Sequence, residues 1–377
     1  MGKWEMVRLG DVLIPQAKSR VKASDGVSKG TYRFFTSSNT QTKWIDEADY
    51  CVPSLIFGTG GNASVHFCNE LFSTSTDCLV FSGIETRLKA IFLYLKSHIY
   101  LLEEGFKGAG LKHISKGYIL EIQIPLPPLT VQQKIADVLD RANTLIERRK
   151  AQIEKLELLI KSQFIEMFGD PVTNPMGWKK DPMGHHLSLL TDFSANGSYE
   201  YLDSNVIMRD YPDYAWMVRT IDLEKQDFSK DVKYINKEAY EILGKSKLFG
   251  GEIIMNKIGS AGKIYLMPIL KFPASLGRNA FMFRYKDNIK PMFIYFLLTS
   301  KYGEKEIQQH VRGAVTKTIT KDAVRSIPII VPPLALQTRF AAFVERVEVQ
   351  KVKMKQGLNL MEVEYKSLMQ KCFNGEM

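Results

Sequence analysis

Lys18, Arg20, Lys22, Arg33, Ser37, Ser38, Asn39, Gln41 and Lys43 crowd into one early stretch of this 377-residue chain, with Tyr32, Phe34, Phe35 and Trp44 interleaved. Much farther along, Arg219, Lys257, Ser260, Lys263, Arg278 and Asn279 offer the same chemistry. Arg, Lys, Asn and Gln present the donor and acceptor patterns that match base edges, whereas Ser, Thr and Lys hold phosphates. Taken singly, each is as well explained as an ordinary surface residue. Two further groups stand out because they recur. Lys107, Lys112 and Lys116 are answered by Arg312, Lys317 and Lys321 at one constant offset, and these are the candidates for phosphate contact.

That offset belongs to a duplication. Gly108, Lys112, Ile114, Lys116, Ile122, Ile124, Pro127, Pro128, Leu129 and Gln132 each meet the same residue type 205 positions later, in one ungapped register running from Gly313 to Gln337. Trp4 and Gly10 are answered by Trp178 and Gly184 with their separation preserved. The chain is two copies of one unit, and a unit used twice suggests a target with two parts.

Patterns that would carry catalysis are absent or broken. The loop from Asn256 to Lys263 superficially matches a phosphate-binding loop, but Lys257 replaces the required first glycine and Ile264 replaces the Ser or Thr after the lysine. Asn174-Pro175-Met176 starts like an amino-methyltransferase tag and fails at Met176-Gly177. Glu362-x-Glu364-x-Lys366 falls in a helical charge pattern, where such residues decorate a solvated face. The four cysteines and six histidines lack zinc-ligand spacing, and reduced thiols are expected. The longest apolar runs are too short to span a bilayer, so a cytoplasmic protein without membrane contact is expected.

Two elements must position the candidates. After Pro127-Pro128-Leu129, a stretch free of Gly and Pro places Leu139, Ala142, Ile146, Ile153, Leu156 and Ile160 on three- and four-residue steps, interrupted by Arg149. One helix is expected over residues 130–168, capped by Thr130 and roughly 58 Å long at about 1.5 Å per residue. The second copy repeats the pattern over residues 335–377 with Phe340, Phe343, Val347, Met354, Leu358 and Met361, although Gly357 weakens it by about 1 kcal/mol. So narrow a seam on so long a helix wants a partner helix, and each is the obvious partner of the other. Upstream of each helix lies a mixed segment of strands and turns, with helices expected near residues 90–101 and 291–300.

The expected fold is therefore α/β (α+β) recognition domains in tandem repeat, separated by two long helices that form an antiparallel coiled coil with pseudo-two-fold symmetry. The expected boundaries are 1–129, 130–168, 169–334 and 335–377. Net charge is +10, and both long helices are nearly balanced, so the basic excess lies in the mixed domains. That distribution favours a polyanion.

The order of these tags resembles the specificity subunit of type I restriction-modification enzymes. The matching residues are Leu9-Gly10-Asp11-Val12, the Ile124–Leu129 tag with Gln132, Lys134, Ile135 and Ala136, Met167-Phe168-Gly169-Asp170-Pro171, and Ile329 through Gln337. The second copy departs with Met183-Gly184-His185 for Leu-Gly-Asp. The resemblance implies a non-catalytic chain in which each mixed domain reads half of a bipartite double-stranded DNA target and the helices set the gap. It also implies two methyltransferase subunits, with restriction subunits beside them. S-adenosylmethionine, ATP and magnesium would sit on those partners, none on this chain. Two alternatives stay open on sequence alone: a coiled-coil scaffold without DNA contacts, and a stand-alone methyltransferase or nuclease, which the missing motifs disfavour.

Overall fold

A computed structural model describes residues 4–108, 110–225, 228 and 230–376. The chain divides into two compact units. One runs up to Gln152 and resumes at Met354, and the other is Ile153–Lys353.

In chain order the first unit carries β1 (Met6–Arg8), β2 (Ile14–Pro15), β3 (Tyr32–Phe35), β4 (Lys43–Ile45), β5 (Ser54–Gly58), β6 (Ser64–Cys68), β7 (Phe72–Thr74) and β8 (Cys78–Ser82). There follow α1 (Glu85–Ser97), α2 (Tyr100–Glu103), α3 (Lys116–Glu121), β9 (Gln123–Pro125) and the first part of α4 (Leu129–Phe168). One sheet has the order β2-β8-β5-β6, a second β4-β3-β7, and β1 pairs with β9. β5 is buried along its whole length, which explains its unbroken Leu55-Ile56-Phe57 run. Leu9, Phe57, Phe81, Leu88 and Ile91 close the core between the larger sheet and α1.

The second unit continues α4 and then carries β10 (Lys180–Pro182), β11 (Leu187–Asp192), α5 (Tyr199–Asn205), β12 (Ala215–Val218), α6 (Thr220–Lys225), β13 (Lys233–Ile235) and α7 (Lys237–Ile242). Next are β14 (Lys247–Leu248), β15 (Ile253–Asn256), β16 (Ile264–Leu266), β17 (Ala274–Leu276) and β18 (Ala280–Tyr285). Then come α8 (Pro291–Leu298), α9 (Lys301–His310), α10 (Lys321–Ser326), β19 (Pro328–Ile330) and the first part of α11 (Leu334–Asn374). Its sheets repeat the first unit's plan: β11-β18-β15-β16, then β13-β12-β17-β14, and the pair β10-β19. The parallel pairing of β3 with β7 recurs as β12 with β17.

The repeated tags are the joints of this plan. Gly10 and Gly184 lie where a Cβ would press on Leu120 (3.1 Å) and Arg325 (2.9 Å), equivalent residues of α3 and α10. Ser115 and Thr320 cap those helices by accepting from Tyr118 N (3.1 Å) and Ala323 N (3.2 Å). Trp178 Nε1 donates to Phe168 O at the end of α4, and Trp4 Nε1 donates to Cys372 O near the end of α11. Each copy's tryptophan thus covers a carbonyl that helix termination would leave unpaired.

Both long helices form, and each unit contains part of each. In the first unit, Ile135 and Leu139 pack with Met369, Cys372 and Phe373, and Lys150 pairs with Glu362 at 3.3 Å. In the second, Ile160, Phe164 and Phe168 pack with Phe340, Val344 and Val347, and Lys351 pairs with Glu157 at 3.2 Å. Within each unit the helices run antiparallel. Gly357 lies opposite Arg149, whose guanidinium is 2.9 Å from where a Cβ would stand, so the glycine and the arginine that interrupts the seam are one feature.

Several local expectations need correction. Thr130 is not the cap of α4, which begins at Leu129; Pro128 O accepts Val131 N (2.9 Å) and Gln132 N (3.0 Å) instead. The helix expected at residues 90–101 starts at Glu85 and breaks at His98 before α2. The expected seam needs no such correction: Leu139, Ile146, Ile153, Ile160, Phe340 and Val347 are buried, Leu156 and Phe343 are half-buried against the second unit's core, and Ala142, Met354, Leu358 and Met361 are half-buried. Phe164, Phe168 and Val344 complete the seam.

Candidate nucleic-acid interface

The recurring basic residues sit on a recurring hairpin. In the first unit Lys107 and His113 exchange two backbone hydrogen bonds of 3.0 Å, and Ile114 N donates to Thr59 O at 3.1 Å. In the second, Arg312 and Thr318 exchange bonds of 2.9 and 2.7 Å, and Ile319 N donates to Lys257 O at 3.1 Å. Each hairpin is thereby fastened to the glycine turn that follows a fully buried strand, β5 in the first unit and β15 in the second. Gly108 (φ 143°) and Gly313 (φ 101°) make the reversal; a Cβ would lie 2.7 Å from Leu111 O and 2.1 Å from Thr316 O. Ala109 lies outside the described residues. The glycines are structural, and what they display is basic: Lys107, Lys112, Lys116, Arg312 and Lys317 are all exposed.

The hairpin tips are apolar. Leu111 is 80% exposed and Val315 is 98% exposed. In the register of the repeat Leu111 meets Thr316 and Val315 meets Gly110, so neither the duplication nor residue type marked them.

Lys321, the counterpart of Lys116, has a different fate. Its Nζ donates to Asp192 Oδ1 at 2.8 Å, and Lys257 Nζ donates to Asp192 Oδ2 at 3.0 Å. Ser194 Oγ donates to the same carboxylate at 2.9 Å. Burial alone would raise the Asp192 carboxyl, but the bonds from Lys321, Lys257 and Ser194 outweigh it and hold the group below the usual carboxylate range. The first unit has no such clasp among the described residues. Thr59 occupies the place of Lys257, since each carbonyl accepts from the equivalent isoleucine, and Lys116 makes no ion pair.

Other candidates of the second unit are similarly engaged. Arg219 reaches both oxygens of buried Asp222 (3.0 and 2.7 Å), whose hydrogen bonding and charge raise its pKa, and also donates to Asp231 O (2.6 Å). Lys263, Tyr265 and Ser260 converge on Glu224 at 3.2, 3.1 and 3.4 Å. The Lys263 bond is the main reason that this carboxyl is depressed. Arg278 lies over the Phe193 and Tyr199 rings at 5.2 and 4.8 Å, donates to Tyr199 Oη and pairs with Asp203. Asn279 takes a positive φ of 69° beside it. Arg278, Asn279 and Arg219 border a cavity of about 280 Å³ floored by Phe193 and Met217.

In the first unit the early basic stretch splits into two groups. Ser37 Oγ donates to Asp77 O (2.7 Å), Gln41 to Lys43 O and Lys43 Nζ to Ala23 O, so these three shape the loop. Ser38 Oγ lies 3.3 Å from Thr40 Oγ1, and Arg33 pairs with Glu70 at 3.8 Å. Lys18, Arg20, Lys22 and Asn39 are exposed. Phe34 and Phe35 are buried, so the interleaved aromatics include core side chains rather than a row of stacking platforms.

Among the described residues no three His, Cys, Asp or Glu side chains gather as metal ligands, and no helix is long and apolar enough to cross a membrane. Cys51 is exposed, while Cys68, Cys78 and Cys372 are buried; all four are free thiols.

Comparison with known proteins agrees with this architecture. The chain is 24% identical over 367 residues to the type I restriction enzyme MjaVIII specificity subunit of Methanocaldococcus jannaschii, covering 90% of this chain and 84% of that protein. It is 22% identical over 392 residues to the EcoBI specificity subunit of Escherichia coli, covering 94% and 80%. Its fold matches the crystal structure of a type I restriction-modification S subunit from M. genitalium with a TM-score of 0.61 at 16% identity, over 99% of this chain and 96% of that one. The model of the type I restriction modification DNA specificity domain matches twice, at residues 1–158 and 187–361, and the chain belongs to that family.

Proposed function

We propose that this chain is the DNA-reading, non-catalytic specificity subunit of a type I restriction-modification complex. Residues 1–129 and 169–334 act as its two recognition domains, and residues 130–168 and 335–377 as the spacer between them. Each recognition domain reads one half of a bipartite duplex target. The chain also scaffolds two methyltransferase subunits and the restriction subunits, which carry S-adenosylmethionine, ATP and magnesium.

The observation that carries this reading is the duplicated hairpin. A tight glycine reversal, fastened to the turn after a buried strand (β5 or β15), displays exposed basic side chains in both copies of a chain whose family is that of a DNA specificity domain. Lysines so placed suit phosphates, and the divergent loops around Asn39 and Arg278 suit base reading.

The test is binding of the chain, assembled with its methyltransferase subunits, to duplexes carrying the methylated sequence mapped in the host. Affinity should fall steeply as salt rises, and exchange of residues 1–129 for another recognition domain should change one half-site alone. A coiled-coil scaffold without DNA contacts predicts salt-insensitive, sequence-independent behaviour, and that result would refute the proposal.

A further inference from the structure

The two glutamines of the repeated Pro-Pro-Leu-x-x-Gln tag are both buried but not equally satisfied. Gln337 uses its whole amide. Nε2 donates to Pro332 O at 2.8 Å and to Asn288 O at 3.1 Å, and Oε1 accepts Lys290 N at 2.8 Å. The connection from β18 to α8, residues 286–290, therefore lies against this side chain as a peptide gripped at two backbone points.

Gln132 repeats the first of these bonds, donating to Pro127 O at 2.6 Å. Its Oε1, however, has no partner among the described residues, although the residue is 1% exposed. The reason is chain length. Residues 83–84 alone join β8 to α1, and so short a link cannot lay a peptide across the glutamine as residues 286–290 do. On the first turn of α1, Arg87 Nε is also buried without an acceptor among the described residues. Both side chains line a cleft of about 590 Å³ with Val7, Leu126 and Pro128. Buried polar atoms are nearly always paired, so a carbonyl and an N–H left unpaired together mark a place where a group of the opposite kind belongs.

We propose that this cleft receives an extended peptide segment of the methyltransferase subunit. The segment supplies in trans what residues 286–290 supply within the second unit: a backbone N–H to Gln132 Oε1, and a carbonyl or carboxylate oxygen to Arg87 Nε. Extended peptide is favoured because its backbone carries free donors and acceptors side by side. A phosphate group offers no N–H donor, and the backbone within a helix has already paired its own. The partner's identity rests on the functional reading above; the site itself rests on the comparison of the two copies.

The experiment uses the full chain and its purified methyltransferase subunits. Replacing residues 83–84 with the sequence of residues 286–290 gives the first unit its own filler. This variant should melt no lower than wild type and bind the methyltransferase at least tenfold more weakly by calorimetry. Arg87→Met, which keeps the aliphatic stem and removes the donor, should weaken the same binding severalfold and tests the site if the loop exchange does not fold. Wild-type affinity in Arg87→Met, or in a folded loop exchange, overturns the proposal. Failure of the unaltered chain to bind the methyltransferase would instead remove the reading of the chain as its specificity subunit.

Discussion

Replacing Asp192 by Asn should unfasten the second unit's hairpin. The carboxylate is 6% exposed, and its lysine partners are 22% and 32% exposed, so the triad is mostly shielded from water. Asn keeps one acceptor oxygen but turns an NH₂ toward an ammonium. One charge-assisted hydrogen bond is lost, at about 1.5–3 kcal/mol. A lysine is also left partly buried without a counter-charge. Complete burial would bring the loss to about 3–5 kcal/mol, and the lysines' exposure discounts it to about 2–4 kcal/mol. Urea unfolding of the purified chain, with hydrogen exchange read at residues 187–196 and 312–324, measures the effect and places it in the second unit. The pH dependence supplies an independent check. The folded carboxyl titrates below its unfolded value, so its contribution is fully present above the ordinary Asp range and disappears as pH falls through the depressed pKa. The gap between wild type and variant should therefore be wide at pH 7 and close on acidification below about pH 4. A loss under about 0.5 kcal/mol at pH 7, or a gap that does not change with pH, would refute the reasoning.

Three further outcomes follow from the same geometry. Lys116→Ala should reduce the slope of log affinity for DNA against log salt by about 0.9, the value for one phosphate contact, whereas Lys321→Ala should leave the slope nearly unchanged and lower stability instead. Titration of the assembled complex between low and moderate salt separates the two. Gly313→Ala forces a Cβ into Thr316 O and into a positive-φ backbone; it should cost about 1–3 kcal/mol locally, seen as faster hydrogen exchange across residues 312–318. Trp178→Phe removes the donor to Phe168 O and should lower stability by about 1 kcal/mol in denaturant unfolding, while Trp178→His, which retains an N–H, recovers part of it.

The periodic parts of this protein were legible without coordinates. Leu139, Ile146, Ile160, Phe340 and Val347 announced a seam because helical contacts recur at short fixed spacing. The duplication supplied its own alignment, and the joints it marked, Gly10 with Gly184 and Gly108 with Gly313, are places where a side chain would collide with backbone or neighbour. Thr130 misled because a good capping residue stood one step inside a helix whose start is set by Pro128 and Gln132.

Residue order alone thus determined the two copies, the length of their helices and the tags that join them, since each depends on local spacing or on comparing the chain with itself. It could not say which basic side chains remain available. Lys257 and Lys321 meet Asp192 from 65 and 129 positions away, so Lys321 is neutralised while its counterpart Lys116 stays exposed. Pairing of that kind depends on where distant segments are brought together in space, and neither charge nor spacing along the chain records it.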